Sequence, residues 1–422
     1  MSARMMQGDC PKGYKQTEVG VIPEDWNEKA IHQFAAIKTG PFGTLLKASE
    51  YSEGNGVPLI SVGEIRQGVL KITDGTPRVS ETVTRRLPQY VLKKGDIVFG
   101  RKGAVERSAL IRGEQDGWFL GSDGISIRPS QASHSEYLAY QFQSERVQGW
   151  LLQNSIGTTM PSLNQSILSN VSIPLPPTKA EQEAIAEALS DADALIESLE
   201  QLIAKKRQVK QGAMQELLTG KRRLPGFSGE WEVKRLGDVA SIQRGASPRP
   251  IDSPIWFDEN SSVGWVRISD VTKSGIYLRE TTQRLSPLGI QYSRPISRGS
   301  LIMSICATVG RPVITEIEAC IHDGFVVFDN LRVDKQFLYY ILKAIEGDWS
   351  RHGQTGSQMN LNTGMINRTE VPCPPLREQT AIAAILSDMD AEIAELEAKL
   401  AKARQVKQGM MQELLTGRIR LI

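Results

Sequence analysis

The chain has 422 residues, of which 40% are apolar, 23% charged and 6% aromatic, with a formal net charge of +2. At about 150 residues per domain this length predicts two or three domains, and the ordinary composition excludes a disordered or collagen-like chain. No apolar run reaches the roughly 18 residues of a membrane span. No apolar signal segment follows Arg4, so we expect a cytoplasmic protein that does not bind a membrane.

Residues 1–172 are predicted to form a mixed α/β domain, because short β-rich apolar runs alternate with Gly, Ser, Asn and Pro. Positive charge lies beside glycine in GRKGAVER, which contains Arg101, Lys102 and Arg107. Gly lets a backbone approach phosphate, and Arg makes bidentate contacts with phosphate or guanine, so these residues are DNA-binding candidates. Solvated loop charges or local ion pairs are the alternative. A polar loop adds the candidates Thr158, Thr159 and Asn164, which could equally form turns.

A long helix is predicted within residues 173–226, after the proline-rich segment IPLPP. Thr178 and Glu181 fit a capping box, and Gly220 lies where a C-terminal stop is expected. At about 1.5 Å per residue, a helix of about 40 residues is about 60 Å long and would act as a spacer. Apolar residues follow the 4-3 spacing of a coiled-coil seam, namely Ile185, Leu189, Ile196, Leu199 and Ile203.

Residues 227–370 are predicted to form a second mixed α/β domain that shares a weak frame with the first. Trp231 matches Trp26, SRGSLIM matches KKGDIVF, HDGFVV matches SDGISI, and QFLYY matches EYLAY. Between these matches the two segments differ almost completely. The DNA-binding candidates here are Arg244, Arg249, Arg311, Ser357, Gln358 and Asn362.

Residues 371–422 contain a second long helix, which repeats the first at a constant offset of 197, with 30 of 44 positions identical between residues 181–224 and 378–421. In both copies acidic residues come first and basic residues last. Antiparallel pairing would place each acidic half opposite a basic half, although charges that merely complement each helix dipole are an alternative explanation. The seam recurs as Ile382, Leu386, Ile393, Leu396 and Leu400.

Enzyme signatures are missing from the sequence. It contains no nucleoside triphosphate loop, dinucleotide fingerprint, zinc-protease motif or serine-hydrolase motif, and no [DN]-P-P-[YF] methyltransferase motif. The four cysteines are scattered without metal-ligand spacing. We therefore expect no catalytic site, cofactor or metal in this chain.

The duplicated proline-rich segment followed by EQ-x-x-I, the helices ending in RQVKQG-x-MQELLTG, and the two dissimilar globular segments resemble the specificity subunit of type I restriction–modification enzymes over the whole chain. The resemblance implies an α+β chain with two target-recognition domains, separated by two long helices in an antiparallel coiled coil with a pseudo-two-fold arrangement. It places the recognition domains at about residues 14–170 and 227–368. Each domain would recognise one half of a split, asymmetric site in double-stranded DNA.

The resemblance also implies partners. The helices would bind two adenine methyltransferase (modification) subunits, and motor-nuclease (restriction) subunits would complete the enzyme. S-adenosylmethionine, ATP and Mg would be bound by those partners, and this chain would be non-catalytic. Identical stretches in the two helices predict the docking residues Arg207, Gly212, Leu217, Leu218, Arg404, Gly409, Leu414 and Leu415.

The sequence allows alternative interpretations of the helix glycines and of the function. Gly212 and Gly409 either permit the close approach of a partner or helix, or are tolerated weaknesses that cost each helix about 1 kcal/mol. The alternative functions are a coiled-coil scaffold without DNA recognition and a fused enzyme with an unrecognised active site.

Overall fold

The computed structural model describes residues 10–52, 54–157, 159–349 and 361–421. The chain folds into two compact units. The first unit comprises the residues up to Leu199 together with those from Lys399 onward, and the second comprises Glu200–Ala398. Each unit therefore contains one globular domain and a part of each long helix. The boundaries of the units thus fall within the long helices, and they differ from the boundaries of the four segments predicted from the sequence. In the described part of the chain, no helix is long and apolar enough to cross a membrane.

Two long helices have the same length. The first long helix is Lys179–Leu217 and the second is Leu376–Leu414, each of 39 residues, or about 58 Å at about 1.5 Å per residue. The Thr178 hydroxyl accepts the Glu181 N–H at 3.2 Å, which is one half of the capping box predicted for the first helix, whereas the Glu181 carboxylate bonds to Arg420. Gly220 and Gly417 follow the helices with φ of 71° and 73°, the left-handed conformation that ends many helices.

The first globular domain contains two four-stranded sheets and two short strand pairs. Its central antiparallel sheet has the strand order Ala35–Thr39, Gly124–Pro129, Ile97–Gly100, Ser108–Leu110. The other sheet has the order Phe119–Leu120, Val57–Ile60, Arg78–Val79, Tyr51–Ser52. The pairs join Tyr14–Thr17 to Gly20–Pro23 and Asn27–Ala30 to Ser172–Leu175. The α-helices are Glu81–Arg86, Ser135–Gln143, Glu145–Asn154 and Gln165–Ser169.

The second globular domain has the same plan. Its central sheet has the strand order Ser241–Arg244, Phe325–Asp329, Leu301–Ser304, Pro312–Thr315, Tyr277–Leu278. The other sheet has the order Gln283–Arg284, Gly264–Val266, Ala319–Ile321, Arg294–Ile296, and Glu232–Arg235 pairs with Glu370–Cys373. The α-helices that lie wholly within its described residues are Leu236–Val239, Ile268–Lys273, Pro287–Gln291, Lys335–Ala344 and Thr363–Arg368.

Both faces of each central sheet are buried. In the first domain Ile97 and Phe99 point into the cluster that contains the long-helix residues Ile185 and Leu189, whereas Val98 points into a separate cluster. The second domain alternates in the same way, with Leu301 and Met303 on one side and Ile302 on the other. Alternate side chains of a strand point to opposite faces, so a run of consecutive apolar residues such as LIMS is the expected pattern for these strands. The central sheets place their connecting loops at corresponding positions in the two domains.

Candidate nucleic-acid interface

In the first domain, two of the predicted DNA-binding residues lie in the loop after strand Ile97–Gly100. The Arg101 N–H donates to the Asp123 carbonyl oxygen at 2.8 Å, and Lys102 Nζ lies 3.7 Å from Asp123 Oδ1. The Arg101 guanidinium stacks 4.3 Å from the centroid of the Phe42 ring, and the Phe42 side chain is exposed. A cation over an aromatic face is held by the ring quadrupole. The structure thus brings Arg101 and Lys102 together with an aromatic residue on one surface.

The polar loop before helix Gln165–Ser169 borders the same surface. The Gly103 N–H donates to Pro161 O and the Leu163 N–H donates to Arg101 O, both at 2.8 Å. Thr159 is exposed in this loop, and Thr158 lies outside the described residues. Asn164 Oδ1 accepts the Ile167 N–H at 2.8 Å as the N-cap of the helix, which commits its amide oxygen to the fold.

In the second domain, Arg244 and Arg249 converge on Asp323. Arg244 Nε donates to the Asp323 carbonyl oxygen at 2.7 Å, and an Arg249 terminal nitrogen donates to Asp323 Oδ2 at 2.9 Å. The Leu361 N–H donates to Ile305 O at 2.9 Å, which is the counterpart of the Leu163–Arg101 bond in the first domain.

Several candidates have other partners or lie outside the described residues. Asn362 Oδ1 accepts the Met365 N–H at 2.9 Å, so Asn362 is an N-cap, like Asn164. Arg107 Nε lies 3.7 Å from Glu106 Oε1, and the Arg311 guanidinium donates to Ser274 O at 3.2 Å. Ser357 and Gln358 lie outside the described residues.

Sequence reasoning missed Asp123 and Asp323. Each aspartate precedes the glycine just before or at the start of the central strand, in the matched strings SDGISI and HDGFVV. The sequence showed that these two strings match, but a single sequence could not show that the aspartate in each string bonds to basic side chains of other loops. Phe42 was also missed, because nothing in its local sequence marks an exposed aromatic residue.

Ion pairs with a buried glutamate join the start of each long helix to the segment that follows the other long helix, and Trp231 and Asp25 tie the globular domains to them. They explain the glutamate of the EQ sequence at the start of each helix. The Glu378 side chain is fully buried, and it accepts two hydrogen bonds from Arg223, at 2.7 and 2.8 Å, and one from Trp231 Nε1 at 3.1 Å. In the first unit Arg420 bonds to Glu181 and to Asp25. These hydrogen bonds raise the pKa of Arg420 and hold the pKa of Asp25 below its usual value.

The glutamine of EQ bonds directly to the globular domain in both units. The Gln182 side-chain oxygen accepts the His134 N–H at 2.9 Å, and that of Gln379 accepts the Asp334 N–H at 2.8 Å. His134 and Asp334 are the N-cap residues of the helices Ser135–Gln143 and Lys335–Ala344. The duplicated EQ is therefore a duplicated attachment of domain to helix.

A second matched contact involves a tyrosine, an aspartate and a lysine. In the first unit the Tyr140 hydroxyl donates to Asp193 Oδ2 at 2.8 Å, and Lys407 Nζ lies 2.5 Å from Asp193 Oδ1. The second unit repeats it with Tyr340, Asp390 and Lys210 at 2.8 and 2.5 Å. Burial raises the pKa of both tyrosines, so each hydroxyl stays a neutral donor.

Ion pairs join the two long helices, and the numbers of the paired residues show the relative direction of the helices within a unit. Within the second unit Arg207 pairs with Glu397 at 2.6 Å, and Lys210 pairs with Asp390. Lys206 pairs with Glu392, and in the first unit Asp193 pairs with Lys407. Residues 206–210 thus pair with residues 390–397, whereas the earlier Asp193 pairs with the later Lys407, which is the order expected of antiparallel neighbours.

The predicted seam residues differ in their surroundings. Ile185 and Leu189 lie in the core cluster of the first unit and Ile382 and Leu386 in that of the second, beside globular-domain residues. Ile203 and Ile393 are also buried. The half-buried members are Ile196, Leu199, Leu396 and Leu400.

The structure corrects four of the predicted docking residues. Leu217, Leu218, Leu414 and Leu415 are between 2% and 6% exposed and belong to the cores of their own units, which leaves them no surface for a partner. Gly212 is exposed and Gly409 half-buried, and a Cβ added at either position would meet no other atom within 4 Å among the described residues. Arg207 and Arg404 are exposed.

Comparisons with known proteins agree with this architecture. The family model of the type I restriction modification DNA specificity domain matches residues 23–206 and 228–405. The putative type I restriction enzyme MjaX specificity subunit of Methanocaldococcus jannaschii is 26% identical over 431 residues, covering 97% of each chain. The MjaVIII specificity subunit of the same organism is 27% identical over 445 residues, covering 99% of this chain and 98% of that one.

Solved structures share the fold. The crystal structure of a type I restriction–modification system S subunit from M. genitalium has a TM-score of 0.60 at 16% identity and covers 92% of this chain and 96% of that one. A chain from a structure describing complex assembly and conformational transition of the type I system has a TM-score of 0.57 at 18% identity, covering 94% and 99%.

The chain has two globular domains of one plan, with loops of different sequence at corresponding positions, and both domains are attached to long duplicated helices. This architecture is that of a DNA-recognition subunit. The chain belongs to the type I restriction–modification DNA specificity family and is a specificity subunit of that class. Specificity subunits are the non-catalytic components of type I systems. Among the described residues, no group of three or more His, Cys, Asp or Glu side chains could hold a metal ion.

Proposed function

We propose that each globular domain recognises one half of a split, asymmetric sequence in double-stranded DNA. The observation that carries this proposal is the pair of corresponding loop surfaces, one with Arg101, Lys102 and Asp123 and the other with Arg244, Arg249 and Asp323. The frame around the two surfaces is the same, but their basic side chains differ in type and position. Unlike side chains present different donors to the bases, so the two half-sites differ in sequence.

The long helices are proposed to form an antiparallel coiled coil with a pseudo-two-fold arrangement, which fixes the number of unread base pairs between the half-sites. The opposite order of the ion pairs and the matched contacts at Asp193 and Asp390 support this arrangement. Helix length would then set the gap, since a helix of about 58 Å exceeds one DNA turn of about 34 Å.

The same helices are proposed to bind two adenine methyltransferase subunits, which motor-nuclease subunits join in the complete cytoplasmic enzyme. S-adenosylmethionine, ATP and Mg would be bound by those partners. The proposed docking surface includes Gly212 and Gly409, which lie in open space, and the exposed side chains of Val209 and Val406. The same residues occur at the same places in both helices, as two identical partners would require. Each target adenine would leave the stack to reach a methyltransferase pocket.

A domain exchange tests the division of the site. Replacing residues 14–170 with the corresponding segment of another specificity subunit should change one half of the methylated motif and leave the other half and the gap unchanged. A change in both halves would contradict the modular assignment. Retention of duplex DNA by the assembled complex, lost with scrambled DNA, separates a recognition subunit from a coiled-coil scaffold. Methylation or cleavage by the chain alone would instead indicate a fused enzyme.

Substitution of the two helix glycines tests docking. Gly212→Leu and Gly409→Leu should each cost the complex one methyltransferase subunit, and the double variant should lose both, as measured by the mass of the complex. Gln211→Leu, at an exposed position on a different side of the first helix, is the matched control. The isolated chain should keep its helicity, because Leu is a better helix former than Gly. Unchanged binding in both glycine variants would show that these glycines are tolerated weaknesses.

A further inference from the structure

The segment that follows strand Ser241–Arg244 lies directly on the turn that contains Asp323. The Gly245 N–H donates to Phe325 O at 2.9 Å, and the Ala246 N–H donates to Ile321 O at 3.1 Å. A Cβ added to Gly245 would lie 2.1 Å from the His322 carbonyl oxygen, so only glycine allows this approach. The start of the segment is therefore fixed on the central sheet.

Further along the same segment, the Asp323 carboxylate holds two side chains. The Ser247 hydroxyl donates to Asp323 Oδ1 at 2.7 Å and accepts the Asp323 N–H at 3.2 Å. Arg249 donates to Oδ2 at 2.9 Å, while the Asp323 carbonyl oxygen accepts from Arg244 Nε. Both carboxylate oxygens are thus occupied, and the three residues are positioned by one aspartate.

The Arg249 side chain has the geometry of a prepared base-recognition group. It is 68% exposed, and its only hydrogen-bonding partner among the described residues is Asp323. A guanidinium carries five N–H donors in a rigid fork, so one bond to a carboxylate leaves the others available. Holding a long side chain in one orientation before binding removes much of the entropic cost of ordering it.

We propose that Arg249 recognises a guanine of the second half-site through a bidentate contact in the major groove, and that Asp323 is the positioning residue that orients it. The inference rests on the proposed function. Arg paired with guanine N7 and O6 is the commonest specific contact between a side chain and a base. Asp323 would not touch DNA.

The corresponding aspartate of the first domain has a different partner. Asp123 lies 3.7 Å from Lys102, and an ammonium is a point charge that lacks the planar fork of arginine. The aspartate at the same position in the two domains thus pairs with a different basic side chain in each. Substitutions at Asp323 and Arg249 should therefore leave recognition of the first half-site unchanged.

The test uses the chain in complex with its methyltransferase subunits and a duplex library containing every single-base variant of the wild-type motif. Arg249→Lys keeps the charge and loses the fork, and Asp323→Asn removes the charged support. Both variants should lose discrimination by about tenfold or more at one guanine position of the second half-site, with every position of the first half-site unchanged. Asp123→Asn, the matched control, should leave that guanine position unchanged.

Two results would overturn the proposal. A uniform loss of methylation across the library would show that Arg249 contacts phosphate, and unchanged discrimination would show that the Arg249–Asp323 pair only stabilises the loop. If Asp323→Asn fails to fold, Arg249→Lys at its exposed position still decides. The proposed function fails separately, if the wild-type complex methylates no split motif at all.

Discussion

Replacement of Leu415 by Ala should destabilise the first unit alone. Leu415 is 2% exposed and belongs to a core cluster that draws only on residues of its own unit. Leu→Ala removes three carbons, worth about 2.4 kcal/mol at about 0.8 kcal/mol each. The cavity left behind brings the expected loss to about 2–5 kcal/mol. Leu218, also 2% exposed, occupies the equivalent place in the second unit, so Leu218→Ala should destabilise that unit by a similar amount.

Hydrogen exchange resolves the two units within one chain. At 1.36 kcal/mol per factor of ten, amides that exchange by opening of the unit should exchange roughly 30-fold to several thousand-fold faster. Leu415→Ala should show this only in the first unit, and Leu218→Ala only in the second. Val406→Ala, at a position 51% exposed on the long helix that ends just before Leu415, is the control and should change stability by less than about 0.5 kcal/mol. Exchange in Leu415→Ala that matches the control would refute the assignment of Leu415 to the core.

Three further predictions follow from individual contacts. Gly417→Ala should lower the melting temperature, because φ is 73° and the new Cβ would lie 2.6 Å from the Pro23 ring. Gly212→Ala, where the new Cβ would lie in open space, should raise the free energy of unfolding by up to about 1 kcal/mol. Burial lowers the pKa of His322 from 6.5 to about 4, and its Nδ1 accepts the Gly324 N–H at 2.9 Å. Between these two pKa values the unfolded chain binds more protons than the folded chain. The free energy of unfolding is therefore highest above pH 6.5 and falls as the pH drops, by about 2 kcal/mol at about pH 5. Urea unfolding should show this fall, and His322→Phe should abolish it. Arg420→Lys should lower the melting temperature of the first unit, because one ammonium cannot bond bidentately to both Glu181 and Asp25.

The duplicated helices and the common frame of the two domains could be predicted from sequence because their signals are local or repeated. Helix caps and a 3.6-residue period depend on neighbouring residues, and the repeat at offset 197 needs only a comparison of the chain with itself. The prediction of a specificity subunit is confirmed by the family match. The antiparallel coiled coil stays a prediction, with which the ion pair between Lys210 and Asp390 agrees.

The environment of individual side chains could not be predicted in the same way. Leu217 and Leu414 look like exposed members of an identical stretch, but the globular domains fold back over these helix ends and bury them. Asn164 and Asn362 look like base-recognition amides, yet each caps a short helix. Such contacts join residues far apart in sequence, and a single sequence carries no record of which loops meet.

Modified-base sequencing of the host genome, with and without this gene, shows whether this chain directs methylation to a split site. We expect adenine methylation at one split, asymmetric motif that disappears with the gene and returns when the gene is restored. Adenine methylation that persists unchanged without the gene, while the methyltransferase subunits are still made, would contradict this expectation.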